Sequence, residues 1–150
     1  MKKVMLLAAV LLLNMLGPST ASALCSVDST GLAFGSFNPL TDSTVDSTAT
    51  LTLTCDESVS YTIALSPGGS GTYNPRRMAS GSNTLDYNLY ADAGYSQIWG
   101  DGAGGSVTVA GGPAPLGARE HTVYGRIPLA SQRGARVGSY SDSIIVTITY

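Results

Sequence analysis

Apolar and polar residues alternate along much of this chain. In ATLTLTC, Ala49, Leu51, Leu53 and Cys55 fall on one side, and Thr50, Thr52 and Thr54 on the other. SVSYTIAL repeats the pattern with Val59, Tyr61, Ile63 and Leu65, and TLDYNLY with Leu85, Tyr87 and Leu89. SIIVTITY, which closes the sequence, sets Ile144, Val146, Ile148 and Tyr150 on one face. Shorter runs do the same: LAFGSF with Leu32 and Phe34, SVTVA with Val107 and Val109, and HTVYGRIPL with Val123 and Ile127 around Gly125. A period of two belongs to a β-strand with one buried face. No stretch carries a helical period.

Turn-forming clusters separate these runs. They include Asn38-Pro39, Pro67-Gly68-Gly69, Ser80-Gly81-Ser82-Asn83, Gly100 to Gly105 and Gly111-Gly112-Pro113. Short strands punctuated in this way predict an all-β sandwich, with one apolar and one Ser/Thr/Asp-rich face per strand.

The first residues read differently. Lys2 and Lys3 precede an apolar run from Met5 to Leu13, and Ala21-Ser22-Ala23 fits the small-x-small rule for signal cleavage. The apolar run is too short to span a bilayer. Residues 1–23 are therefore expected to be a signal peptide and residues 24–150 the exported domain, with no transmembrane segment in the mature chain. Leu24 before Cys25 argues against lipid attachment at that cysteine.

Export changes the meaning of the two cysteines. In an oxidising compartment, Cys25 and Cys55 read as one disulfide, and a metal site built from them and a single distant histidine is the weaker alternative. The exported part holds six arginines, no lysine and ten acidic residues, which leaves a formal charge of −4. No basic field exists to hold nucleic acid or an anionic membrane.

Candidate chemistry is thin. His121 is the only histidine, and no G-x-S-x-G elbow surrounds a serine nucleophile. WGDGAGG, Trp99 to Gly105, lacks the lysine of a phosphate loop and brings one carboxylate, too few for a calcium site. It reads as a tight loop with Trp99 packed on the sandwich. Arg76 and Arg77 read as a strand start, solvated or paired with a nearby Asp. Neither an enzyme nor a cofactor is expected. Adhesion or assembly is the class of function that remains.

The segments GLAFGSFNPL, LTLTC, RRMASGSNTLDYNLY, IWGDG, VYGRIPLASQ and GSYSDSIIVTITY resemble, in order and spacing, the spore coat protein U domain. That family includes subunits of archaic, Csu-type chaperone–usher pili. The resemblance runs from Cys25 to Tyr150 and implies an immunoglobulin-like sandwich that lacks its final strand. A periplasmic chaperone would fill the resulting groove with its own strand. At the outer-membrane usher, another pilus subunit would then replace that strand with its N-terminal extension. Carried onto this sequence, Ile144, Val146, Ile148 and Tyr150 would line one wall of the groove, and Leu32, Phe34 and Phe37 the other. Cys25 and Cys55 match the family's disulfide pair, and the Tyr150 carboxylate would anchor basic residues of the chaperone.

The implied function is an exported subunit of a surface pilus or coat, passing through the periplasm to the cell surface and supporting adhesion or biofilm formation. Only Leu24 stands between the expected cut and Cys25. The chain is therefore expected to accept a strand without offering one, as a fibre-end, minor or coat component. The rival reading is a self-complete secreted binding module whose loops, such as Gly100 to Gly105, hold a glycan or surface ligand.

Overall fold

The computed structural model describes residues 23–41, 44–113, 117–129 and 132–150; the expected signal peptide lies almost wholly outside them. Among these residues there are eight strands: β1 (Cys25–Ser29), β2 (Val45–Cys55), β3 (Tyr61–Leu65), β4 (Arg76–Ser80), β5 (Asn83–Tyr90), β6 (Val109–Gly111), β7 (Gly117–Ile127) and β8 (Val146–Thr149). They form two antiparallel sheets, one of five strands ordered β1-β2-β7-β5-β4 and one of three ordered β6-β3-β8. The expected all-β sandwich is what the chain adopts.

The alternation in ATLTLTC sets the central pair. Along β2, Ala49, Leu51 and Leu53 are buried and the intervening threonines are not. β7 lies antiparallel beside it, pairing Val45 with Ile127 and Cys55 with Gly117. β3 supplies the facing layer through Tyr61, Ile63 and Leu65. Leu85, Tyr87, Leu89, Val123, Ile127 and Leu129 complete the core.

Two polar side chains cross between the sheets. The Tyr61 hydroxyl lies 2.9 Å from His121 Nε2. Trp99, 1% exposed, donates from Nε1 to the Ile63 carbonyl at 3.0 Å. The tight loop after Trp99 forms as expected, with Ser106 Oγ accepting from the Gly102 N–H and donating to the Ala103 carbonyl.

Arg76 departs from expectation: it is 0% exposed, neither solvated nor paired with an Asp. Nε and Nη2 donate to the Ser66 carbonyl at 3.1 and 2.9 Å, Nη2 also to the Trp99 carbonyl at 2.7 Å, and Nη1 to Asn88 Oδ1 at 3.0 Å. A buried guanidinium is tolerable only when its donors are met in this way. It ties β4 and β5 to the end of β3 and to the Trp99 loop. Arg77, the next residue, points outward and pairs with Asp86 at 2.9 Å.

Cys25 faces Cys55 across the β1–β2 ladder and is bonded to it, with the Cα atoms 4.1 Å apart. The pattern of the sequence missed β1, which begins at Cys25 itself. Replacing both cysteines by alanine is expected to cost about 3–4 kcal/mol in a denaturant titration, because the bridge closes a loop of 30 residues.

Burial holds the His121 imidazole below its ordinary pKa of 6.5. The neutral ring is therefore the one the fold accepts. The unfolded chain takes up a proton near 6.5 and the folded one only at lower pH, so stability is intact above 6.5 and declines as pH falls from there toward the folded value. His121→Gln is expected to flatten that decline in melting curves between pH 7 and pH 5.

Candidate functional site

Beside the two-sheet sandwich lies a trough. β8 bonds to β3 along one side, from Thr62 with Thr149 to Leu65 with Val146. Its other side carries no strand among the described residues. Across the opening runs the segment 31–40. It was expected as a strand over LAFGSF, but it has no ladder partner. The Thr30 N–H bonds to the Thr50 carbonyl where β1 ends, and beyond that point the Ala33 carbonyl accepts from Ser47 Oγ at 2.6 Å. The segment is held by side chains instead. Leu32 and Phe34 lie over Gly125 of β7 so closely that a Cβ there would sit 2.7 Å from Leu32 Cδ1 and 3.0 Å from Phe34 Cζ.

The opening measures about 950 Å³. Leu51, Leu65, Met78, Tyr87, Leu89 and Val123, all buried core residues, form its floor. Leu32, Phe34 and Phe37 line one wall, and Ile144 and Val146 the other. Ile148 packs against the core farther along β8, and Tyr150 is 50% exposed; neither borders the opening. Sequence reasoning missed a large part of the second wall, the segment 133–142. Its apolar residues are sparse, and no alternation marks it.

That segment is fastened at two points. Ser141 exchanges backbone hydrogen bonds with Ala79 of β4 at 2.9 and 3.1 Å. Asp142 accepts from the Tyr87 hydroxyl at 2.7 Å, from the Gly69 N–H at 2.9 Å and from the Ser143 N–H at 2.8 Å. Burial, together with the Asp142 carboxylate, pushes the Tyr87 phenol well above its ordinary value, so it stays a donor. Gly68 has φ +70° and lies against the Asp142 carboxylate, where a side chain would collide with it. The Tyr87 ring meets Phe34 edge-on, centroids 6.1 Å apart. One floor residue thus touches both walls.

An open strand edge beside an apolar trough suits an extended chain. The edge supplies main-chain hydrogen bonds and the trough takes alternate side chains. Val137 and Leu40, at the mouth, are 105% and 67% exposed. Large apolar residues left in water at one place mark a surface that another molecule covers.

The model of the Spore Coat Protein U domain matches residues 9–147. The chain belongs to the Spore Coat Protein U domain family. One solved relative of this fold is a chain in the crystal structure of the CsuC–CsuE chaperone–tip adhesion subunit pre-assembly complex, from archaic chaperone–usher Csu pili of Acinetobacter baumannii. It matches with a TM-score of 0.60 at 15% identity, over 86% of this chain and 40% of that one. The present chain therefore spans less than half of that relative, and the likeness is one of fold. No curated protein matches by sequence. The family and the fold expected from the motifs are both established by these findings.

Removing the Asp142 carboxylate should loosen this family member's second wall. Asp142→Ala strands a buried phenol and two backbone N–H groups, and the expected loss is about 1–3 kcal/mol in urea unfolding. In a Tyr87→Phe background the same substitution should cost measurably less, because the shared bond is already gone.

Proposed function

We propose that this protein is an exported structural subunit of a surface pilus or coat, assembled by donor-strand complementation. The observation that carries the reading is the unpaired side of β8 facing the unladdered segment 31–40 across an apolar opening. A strand inserted there would pair with β8, cover exposed apolar surface such as that of Leu40 and Val137, and turn three strands into the beginning of a complete second sheet. In this reading a periplasmic chaperone supplies the strand during export, and an outer-membrane usher exchanges it for a segment of another subunit. Leu32, Phe34, Phe37, Ile144 and Val146 receive the donor's side chains. Ile148 and Tyr150 extend the edge beyond the trough. The role is structural rather than catalytic, and attachment to surfaces or biofilm follows from assembly. Residues 1–23 act as the signal peptide, residues 24–150 as the assembling domain, and the cell surface is the destination.

The rival reading, a loop-borne ligand site at Gly100 to Gly105, gains nothing from the geometry. Asp101 accepts from the Ala103 N–H at 2.9 Å, and Ser106 closes the loop on itself.

The test is production of the mature chain in the periplasm with and without a chaperone of the chaperone–usher class. Alone, the protein should aggregate or be degraded, because an apolar trough and a bare strand edge are both exposed. With the chaperone it should leave the cell lysate as a soluble one-to-one complex, and Val146→Asp should abolish that complex. A stable, soluble monomer obtained alone would overturn the proposal.

A further inference from the structure

The arginines of the exported part are almost all committed. Arg76 is buried among neutral acceptors. Arg77 pairs with Asp86, and Arg126 makes a two-pronged bond to Asp46 at 2.7 and 2.8 Å while lying 3.5 Å over the Tyr95 ring. Arg119 is engaged as well. Arg133 and Arg136 differ: both are exposed, and no carboxylate pairs with either among the described residues. Both also line the trough.

Their backbone is pinned while their guanidinium groups are left open. The Ala135 N–H bonds to the Gln132 carbonyl, Gln132 Nε2 donates to the Asp86 carbonyl at 2.9 Å, and the Tyr140 hydroxyl donates to the Arg136 carbonyl at 2.8 Å. Ala135 packs on the core between the two arginines. Among the described residues, the one acidic side chain on the trough, Asp142, is used up by Tyr87 and two backbone N–H groups. Two positive charges with no carboxylate partner among the described residues therefore stand on the lining of an opening with an apolar floor, in a chain whose net charge is negative. A guanidinium presents a planar fork that fits a carboxylate, and at an interface rim such a charge selects partners and speeds their approach.

We propose that the polypeptide segment seated in this trough carries a carboxylate at the end beside Arg133 and Arg136, and that these two side chains select for it. The inference rests on the donor-strand reading and adds the chemistry of the donor: alternating apolar residues with an Asp or Glu at one end.

Three nine-residue peptides of alternating Val and Thr test it, one with Glu at its N-terminal end, one with Glu at its C-terminal end and one with Lys at both. The mature chain is refolded with each, and affinity is read from the rise in melting temperature against peptide concentration. One of the Glu peptides should bind about tenfold more tightly than the Lys peptide in low salt, and the gap should narrow to about twofold in 0.5 M salt. In an Arg133→Gln/Arg136→Gln variant, whose own melting temperature should stay within about 2 °C of the wild type, the gap should close. Equal binding of Glu and Lys peptides by the wild-type chain, or a gap that survives in the variant, overturns the charge selection while leaving the trough as a strand site. Failure of all three peptides to raise the melting temperature overturns the strand site, and the selection with it.

Discussion

Backbone N–H and C=O groups of a sheet need partners on both sides of every strand, and here the smaller sheet runs out of strands. Among the described residues, β3 is flanked by β6 and β8, but β8 has only β3. In the facing sheet, β2 is bonded along its length by β7 and for five residues by β1. The bare edge of β8 alone is cheap, because water satisfies it. The cost lies beside it, where apolar residues lining the trough, Leu40 and Val137 above all, stand in water at roughly 25 cal/mol per Å². Water meets the hydrogen-bonding need and cannot meet the hydrophobic one. What would complete this molecule is therefore a strand with apolar side chains, not merely a hydrogen-bonding partner.

An opening of this kind would be expected to collapse, and three features resist that. The Cys25–Cys55 bridge fixes the start of β1, the strand from which the chain enters the segment 31–40. Arg76 and Trp99 lock the sheets together through carbonyls of Ser66, Trp99 and Ile63. Ser141 and Asp142 moor the second wall to β4 and to Tyr87. A hydrophobic side chain at position 76 would fill space but could not satisfy those carbonyls, which explains why a charge sits inside a core otherwise built of Leu, Ile and aromatic residues.

Much of this was legible in the sequence, and the misses share a cause. β2, β3, β5 and β7 announce themselves because each buries one face against a full neighbour, which imposes strict alternation. β4 shows its start at Arg76 and Arg77, but the burial of Arg76 is hidden, because it puts a charge where the pattern calls for an apolar side chain. β1 is hidden because Val27 is its single inward aliphatic residue. LAFGSF has a strand's alternation, and its Leu32 and Phe34 do face the core, yet it has no ladder. Alternation reports which side chains are buried; it says nothing about whether the backbone found a partner. The wall 133–142 carries no pattern at all, since main-chain bonds and one carboxylate place it.

Tyr87 joins these observations. Its ring is core, its edge meets Phe34 on the first wall, and its hydroxyl holds Asp142 on the second. A side chain pressed onto this floor would be felt by both walls at once, because the ring cannot shift without disturbing either the aromatic contact or a buried hydrogen bond. The walls differ in how they can respond. The first is secured chiefly by non-directional side-chain packing over Gly125, with the Ala33 carbonyl bonded to Ser47, so it has more freedom to shift. The second is fixed by directional bonds that weaken steeply when bent. On the donor-strand reading, adjustment to an occupant should therefore fall on residues 31–40, while β8 and the segment before it would be the template against which the incoming strand sets its register.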